Sequence, residues 1–230
     1  MRLAVVIPTL NEAAGIEAAL QRLADLRARG ARVIVADGGS RDDTVARAAR
    51  LADRVVASPR GRALQMNAGA RTPEAQDCDV LLFLHADTRL PAEADRLIFR
   101  GLSNSASRWG RFDVAIEGAS PLLPVVATLM NWRSRLTGIC TGDQAIFVER
   151  GTFLAMEGFA AIPLMEDIEF CRRARTISPP LALRGRVITS GRRWERDGVL
   201  RTILLMWQLR LAYFFGADPA DLARRYRDAR

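Results

Sequence analysis

Apolar and polar positions change rhythm along the chain so that strands alternate with helices. Residues 3–8, LAVVIP, form a short β-rich apolar run closed by proline. In residues 12–30, Ile16, Ala19, Leu20, Leu23 and Leu26 recur at helical spacing, and Gly30 stands where a C-cap glycine belongs. Residues 32–39, RVIVADGG, read as a second strand ending in turn residues. Residues 40–52 open with capping chemistry, with Asp42 and Asp43 as caps, and continue as a helix. A third strand (53–58), a helix (61–71) and a fourth strand (79–85), apolar on both faces, follow.

Continuous apolar strands separated by helices predict an α/β fold with a mostly parallel sheet, covered by helices on both faces. Ligands in such sheets bind beyond the carboxyl ends of the strands. That rule gathers three loops: PTLNE after strand one, DGGSRDDT after strand two and HADTRLP after strand four. Beyond Pro91 the pattern loosens into helices at 93–102, 122–136 and 165–175, and strands at 109–118 and 143–150. No repeat or linker divides the chain. One domain over 1–230 is expected, with a nucleotide-side half at 1–105, an acceptor and catalytic half at 106–198 and a C-terminal helical segment at 199–230.

The helix expected at 199–216 is apolar on more than one side. Leu200, Ile203, Leu204, Trp207, Leu211, Phe214 and Phe215 share one broad face, with Arg201 and Gln208 opposite and Arg210 on a flank. Leu205, Met206, Leu209 and Tyr213 make the weaker face partly apolar too. Such a helix is seldom left in water. Three coverings suit it: its own domain, a second copy in a homodimer, or a membrane surface. Its two interior arginines argue against a span.

Composition sharpens this only in part. The net charge is +8 and every basic residue is arginine, 34 in all. Residues 184–230 hold 11 arginines against 5 acids, so much of the surplus sits at the C-terminal end, where it would attract anionic lipid. Arginine also makes forked bonds to phosphate. No recognition motif or basic run interleaved with aromatics points to nucleic acid, so no nucleic-acid partner is expected. Cys78, Cys140 and Cys171 have no metal or disulfide spacing and read as reduced thiols. The N-terminal apolar run is too short for a signal peptide, and the reading is a cytoplasmic protein, with the cytoplasmic face of the membrane as one location.

The loop residues carry the chemistry. Asp37 follows strand two directly and precedes two glycines, where a carboxylate can accept from a base or ribose. No GxGxxG follows strand one, which argues against a dinucleotide cofactor. Asp87 ends strand four and suits a hard cation, Mg²⁺ or Mn²⁺, whose remaining positions are filled by water and substrate phosphates. Capping of the helix beyond Pro91 is the plainer reading of the same aspartate. His85, the only histidine, stands two residues before it.

Taken together, VVIPTLNE, VIVADGGSRDDT, GRALQMNAGA, LLFLHADTRLP, TGDQAIFVER and MEDIEF, in this order, resemble glycosyltransferase family 2. More narrowly they resemble its bacterial branch of radical-SAM/selenodomain-associated transferases. The resemblance spans roughly 3–198. It implies a GT-A fold related to the Rossmann arrangement, a nucleotide-diphosphate sugar donor, a divalent metal and inversion at the sugar carbon. By position, Pro8, Thr9, Asn11 and Glu12 match the nucleoside loop and Asp37 the base-reading carboxylate. Arg62 stands where the family usually has lysine near the donor, and Asn67 matches a recurrent asparagine. His85, Ala86 and Asp87 match the D-x-D element, with Asp87 the metal ligand. His85 replaces the first aspartate, as a ribose partner or, second, as a metal ligand. Asp167 matches the catalytic base. Gly142, Asp143 and Gln144 match a stretch on the acceptor side, where Glu166, Arg193 and Trp194 are also placed. Core packing is the plainer reading of Trp194. A membrane-surface helix would suit a lipid-linked acceptor. A nucleotidyltransferase and a non-catalytic nucleotide-sugar or membrane-surface module are the alternatives. The former wants a basic residue in the loop after strand one, and PTLNEAAG has none.

Overall fold

The structure, a computed structural model, describes residues 1–228, so positions 229 and 230 of the expected C-terminal segment lie outside the described residues. A seven-stranded sheet runs through the chain. In chain order its strands are β1 (Leu3–Thr9), β2 (Arg32–Asp37), β3 (Arg54–Ala57), β4 (Val80–Phe83), β5 (Trp109–Glu117), β6 (Phe147–Glu149) and β7 (Leu181–Ser190). Their order across the sheet is β3-β2-β1-β4-β6-β5-β7. β3, β2, β1 and β4 are mutually parallel; β6 runs antiparallel between β4 and β5, and β7 is parallel to β5.

β1 shows why the apolar strands have no polar side. Leu3, Val5 and Ile7 enter one buried cluster with Val33, Val35 and Leu82. Ala4 and Val6 enter a second cluster, on the other face, with Ile34, Leu81 and Phe83. Successive side chains of a strand point to opposite faces, so a sheet covered twice needs both sets apolar. Helix Arg62–Ala70 packs hard on β1: a Cβ at Gly69 would collide with Val6 Cγ1.

The chain passes from β1 to β2 and β3 on one side, then returns to place β4 on the other side of β1. The β1/β4 boundary is therefore a topological switch point, and the loops leaving β1 and β4 border its crevice. Parallel register sets Thr9, Asp37 and Ala57 side by side at that edge.

Several elements differ from the sequence expectation. The helix over 12–30 is two short helices, Ile16–Gln21 and Ala24–Ala28. The helix over 40–52 contracts to Thr44–Ala48. The strand expected at 143–150 begins only at Phe147, because Gly142–Gln144 forms a 3-10 turn and Ala145 takes a left-handed φ of 48°. Edge strand β7 has no counterpart in the expectation. It is only partly buried and carries Arg184, Gly185 and Arg186 in its middle, where register slips against Phe112 and Asp113.

The C-terminal helix, Val199–Phe214, lays its weaker face on the protein. Leu205, Leu209, Ala212 and Tyr213 pack with Met165 and Leu222. Of the stronger apolar face, Ile203 packs on the core, while Leu200, Leu204, Trp207, Leu211, Phe214 and Phe215 are left exposed. Covering by its own domain is thus overturned for these exposed residues. No helix among the described residues is long and apolar enough to cross a membrane.

Candidate active site

The first two loops are sewn to each other. Asn11 N–H donates to Ser40 Oγ at 2.9 Å, and Asn11 Oδ1 accepts from Arg41 N–H at 2.9 Å. Glu12 N–H donates to Thr44 Oγ1 at 2.8 Å, and Ala13 N–H to Asp42 Oδ2 at 3.1 Å. Asn11 takes a φ of 55° to do this. Asp42 also accepts from Thr44 N–H, whereas Asp43, the N-cap by position, makes no side-chain cap bond. Beneath both loops lies Gln65, whose amide donates to Thr9 O at 2.7 Å and Ala36 O at 3.0 Å.

Asp37 is buried at this edge, and its carboxylate is engaged by its own loop. Oδ2 accepts from Gly39 and Ser40 N–H at 2.9 Å each, and Oδ1 accepts from Ser40 Oγ. It shapes the turn after β2 and does not stand open at the edge. Pro8 and Thr9 end β1 beside it, Thr9 fully buried.

The loop after β4 supplies the second wall. Its course is fixed from β7: Arg89 and Ile188 exchange backbone bonds at 2.8 and 2.9 Å, and Thr88 Oγ1 donates to Thr189 Oγ1 at 3.1 Å. Asp87 is exposed and caps nothing, since the following helix starts at Ala94 without a side-chain cap. His85 leans across the sheet to the turn before β6. Its Nδ1 pairs with Asp143 Oδ1 at 3.2 Å, and a Cβ on Gly142 would sit 2.5 Å from Nε2. Glycine at 142 is what admits the imidazole. Burial works to raise the Asp143 pKa, but the His85 bond and the charges of His85, Arg62 and Arg193 win, and it is lowered.

The third wall is the start of helix Glu166–Ile177. Asp167 Oδ2 accepts from Gly142 N–H at 3.1 Å and Oδ1 from Ile168 N–H at 2.8 Å. Burial, then the charge of Glu166, pushes its pKa up to about 6 against those two bonds and Arg62. Met165, just before, is held at a φ of 69°. Left-handed non-glycine residues cost roughly 1–3 kcal/mol and concentrate at functional sites. Three of the five such residues described, Asn11, Ala145 and Met165, border this cleft. Arg62 opens its helix exposed to solvent, and the charges of Glu166, Asp143 and Asp167 raise its pKa.

Other expected residues turn elsewhere. The Asn67 amide is committed at both ends to the backbone of Phe159, at 2.8 and 2.9 Å. Gln144 is fully buried and donates to Ser134 Oγ at 3.1 Å and Asn131 Oδ1 at 3.3 Å, which fixes the turn carrying Gly142 and Asp143. Trp194 packs on the core cluster, the plainer of its two readings. Arg193 lies over the Tyr226 ring, 4.4 Å from its centroid, while still acting on Asp143. Sequence reasoning missed Gln65 and Arg192. Arg192 precedes the expected pair by one residue, and its charge acts on Glu12.

Among the described residues no three His, Cys, Asp or Glu side chains form a metal cage. Mg²⁺ or Mn²⁺ bound through one or two carboxylates and a substrate diphosphate needs no cage. Among the described residues the only hydrogen bond to the Asp87 carboxylate is a 3.5 Å approach by Thr88 Oγ1. Glu12 has its pKa raised by burial first and by Asp87 second. Two carboxylates in each other's field, one of them open, fit a hard cation. His85, held by Asp143 and pressed on Gly142, is less well placed as a ligand.

Residues 4–106, which carry β1–β4, match the model of glycosyl transferase family 2. No curated protein matches the chain in sequence. Among solved structures it is similar to S. aureus TarS 1–349 in complex with UDP, at 16% identity and a TM-score of 0.65, over 83% of this chain and 60% of that one. It is also similar to glucosyl-3-phosphoglycerate synthase from Mycobacterium tuberculosis in complex with Mn²⁺, UDP and glucosyl-3-phosphoglycerate, at 20% identity and 0.60, over 82% and 70%. A third is the mannosyltransferase PcManGT from Pyrobaculum calidifontis in complex with GDP-Man and Mn²⁺, at 20% identity and 0.60, over 81% and 56%. The chain spans about three fifths of the TarS structure. The fold is that of the GT-A glycosyltransferases.

Proposed function

We propose that the chain is a metal-dependent, inverting glycosyltransferase that moves a sugar from a nucleotide-diphosphate donor to an acceptor hydroxyl. One observation carries the reading: the loop after β4, with its open carboxylate Asp87, meets through His85 the Gly142–Asp143 turn, which in turn binds the half-buried carboxylate Asp167, whose pKa is about 6. The neighbours crystallised with UDP or GDP-Man and a metal ion have the same fold, which supports this class of donor.

The chemistry follows from the residues. A hydroxyl is a poor nucleophile, so a carboxylate must take its proton as the bond to the sugar C1 forms. Asp167 is that base: near neutral pH it is deprotonated, and a pKa of about 6 lets it accept the proton readily. The new C1–O bond forms on the face opposite the bond that breaks to the diphosphate, so the anomeric configuration inverts. Asp87, with Glu12, would hold Mg²⁺ or Mn²⁺, which when bound neutralises charge on the departing diphosphate. Arg62 stands over the carboxylates at the mouth and Arg192 beside Glu12, placed to meet phosphate oxygens. His85, paired with Asp143 and packed on Gly142, fixes the loop after β4 beside the donor. Asp37 and Asn11 hold the nucleoside-side loops in shape.

Nucleotide sugars incubated with the protein and Mn²⁺, followed by NMR, test this. The expected products are a nucleoside diphosphate and a sugar of inverted anomeric configuration, with Asp167→Asn much slower. Retained configuration, or pyrophosphate from a nucleoside triphosphate and a sugar phosphate as the only turnover, would overturn it.

A further inference from the structure

Two helices leave an apolar stripe in solvent. On helix Val199–Phe214 and the residue after it, Leu200, Leu204, Trp207, Leu211, Phe214 and Phe215 are each 60–81% exposed. Their spacing puts all six on one narrow line along the helix. On helix Leu123–Thr137 and the residue before it, Leu122, Val125, Leu129, Trp132 and Leu136 are 42–68% exposed and again share a line. Both helices pack on the same core cluster, through Leu123, Val126 and Met130 of one and Val199 and Ile203 of the other. Apolar lines this long are not the scattered exposure of an ordinary surface.

Charge says what covers them. Neither helix contains an aspartate or glutamate, and their only charged residues are arginines: Arg133 and Arg135 on one, Arg201 and Arg210 on the other. Arg201, expected opposite the apolar face, instead borders the exposed stripe on one side, and Arg210 borders it on the other. Arg135 is paired with Asp113, and Nε and Nη2 of Arg133 and Arg210 are buried; Arg201 is exposed. Neither helix offers a second copy a carboxylate to pair with Arg201. An anionic phospholipid surface offers phosphates to Arg201 and acyl chains to the leucines, and the exposed tryptophans Trp132 and Trp207 suit the boundary between the two. No described helix is able to span, so the mode is interfacial. We infer that these two helices dock the protein on an anionic bilayer surface, with their axes along it.

The inference does not depend on the activity assigned above, and its test needs no turnover. The full chain is floated with phosphatidylcholine vesicles, with or without phosphatidylglycerol, at low and high salt. The expected result is co-flotation with anionic vesicles at low salt, falling by about tenfold on phosphatidylcholine alone or at high salt. A Leu204→Ser, Trp207→Ser, Leu211→Ser variant changes only exposed side chains; it should keep its melting temperature and lose flotation. Asp167→Asn should float like the parent. Absence of flotation with anionic vesicles at low salt overturns the inference. So does equal flotation of the triple variant, or light scattering that gives a dimer for the parent and a monomer for that variant.

Discussion

Asp167 is poised by opposing influences. Burial and Glu166 push its pKa up to about 6, while the Gly142 and Ile168 amides and Arg62 restrain it. Its base form therefore exists above about pH 6 and is lost below, so kcat/KM should fall on the acid side with a midpoint near that value. Asp167→Asn should keep donor binding, cut turnover by roughly 10²–10⁴-fold and remove that acid limb. Normal turnover in the variant would place the base elsewhere. Gly142→Ala tests the neighbouring contact: its Cβ would lie 2.5 Å from His85 Nε2, so the imidazole must leave Asp143. Donor affinity should drop several-fold with little change in melting temperature; an unchanged Kd by calorimetry would count against a donor-side role for His85. At this scale the sequence names residues without their partners. Asp37 reads as an open carboxylate, but its oxygens are filled by Gly39 and Ser40. Asn67 reads as a ligand contact, but its amide answers Phe159, 92 residues away.

At the scale of elements, helix Arg62–Ala70 holds the nucleoside-side loops through one side chain. Gln65 reaches the carbonyls of Thr9 and Ala36 at the ends of two strands. Gln65→Ala leaves buried acceptors poorly satisfied, which costs about 1–3 kcal/mol. For a chain of this size that lowers Tm by roughly 2–4 °C per kcal/mol. Calorimetry should show the drop together with weaker nucleotide binding; an unchanged Tm would mean the loops are held otherwise. Elements whose pattern reports two-sided burial, β1, β2 and β4, are legible from sequence. β7 is not. It is an edge strand with arginines and a glycine at its register shift, so neither alternation nor an apolar run marks it. Helix Val199–Phe214 is legible as a helix, but which face turns inward is set by Met165 and Leu222, and a helical wheel does not contain them.

For the whole molecule, four parallel strands create the crevice, and β6, β5 and β7 extend the sheet so that the Gly142 turn and the Asp167 helix face it. The parallel part follows from hydrophobic pattern alone. The mixed part does not, because short β6 and its preceding left-handed turn depend on His85, Asn131 and Ser134. The central claim is that a diphosphate and a divalent cation bind together at Asp87. Thermal melting of the parent and of Asp87→Asn, with a panel of nucleoside diphosphates in Mn²⁺ or in EDTA, tests it most directly. A ligand that binds the native state raises Tm by mass action. One or more nucleoside diphosphates should raise the parent's Tm with Mn²⁺ and much less in EDTA, and Asp87→Asn should keep its unliganded Tm but lose the metal-dependent rise. A metal-dependent rise of the same size in Asp87→Asn would contradict it.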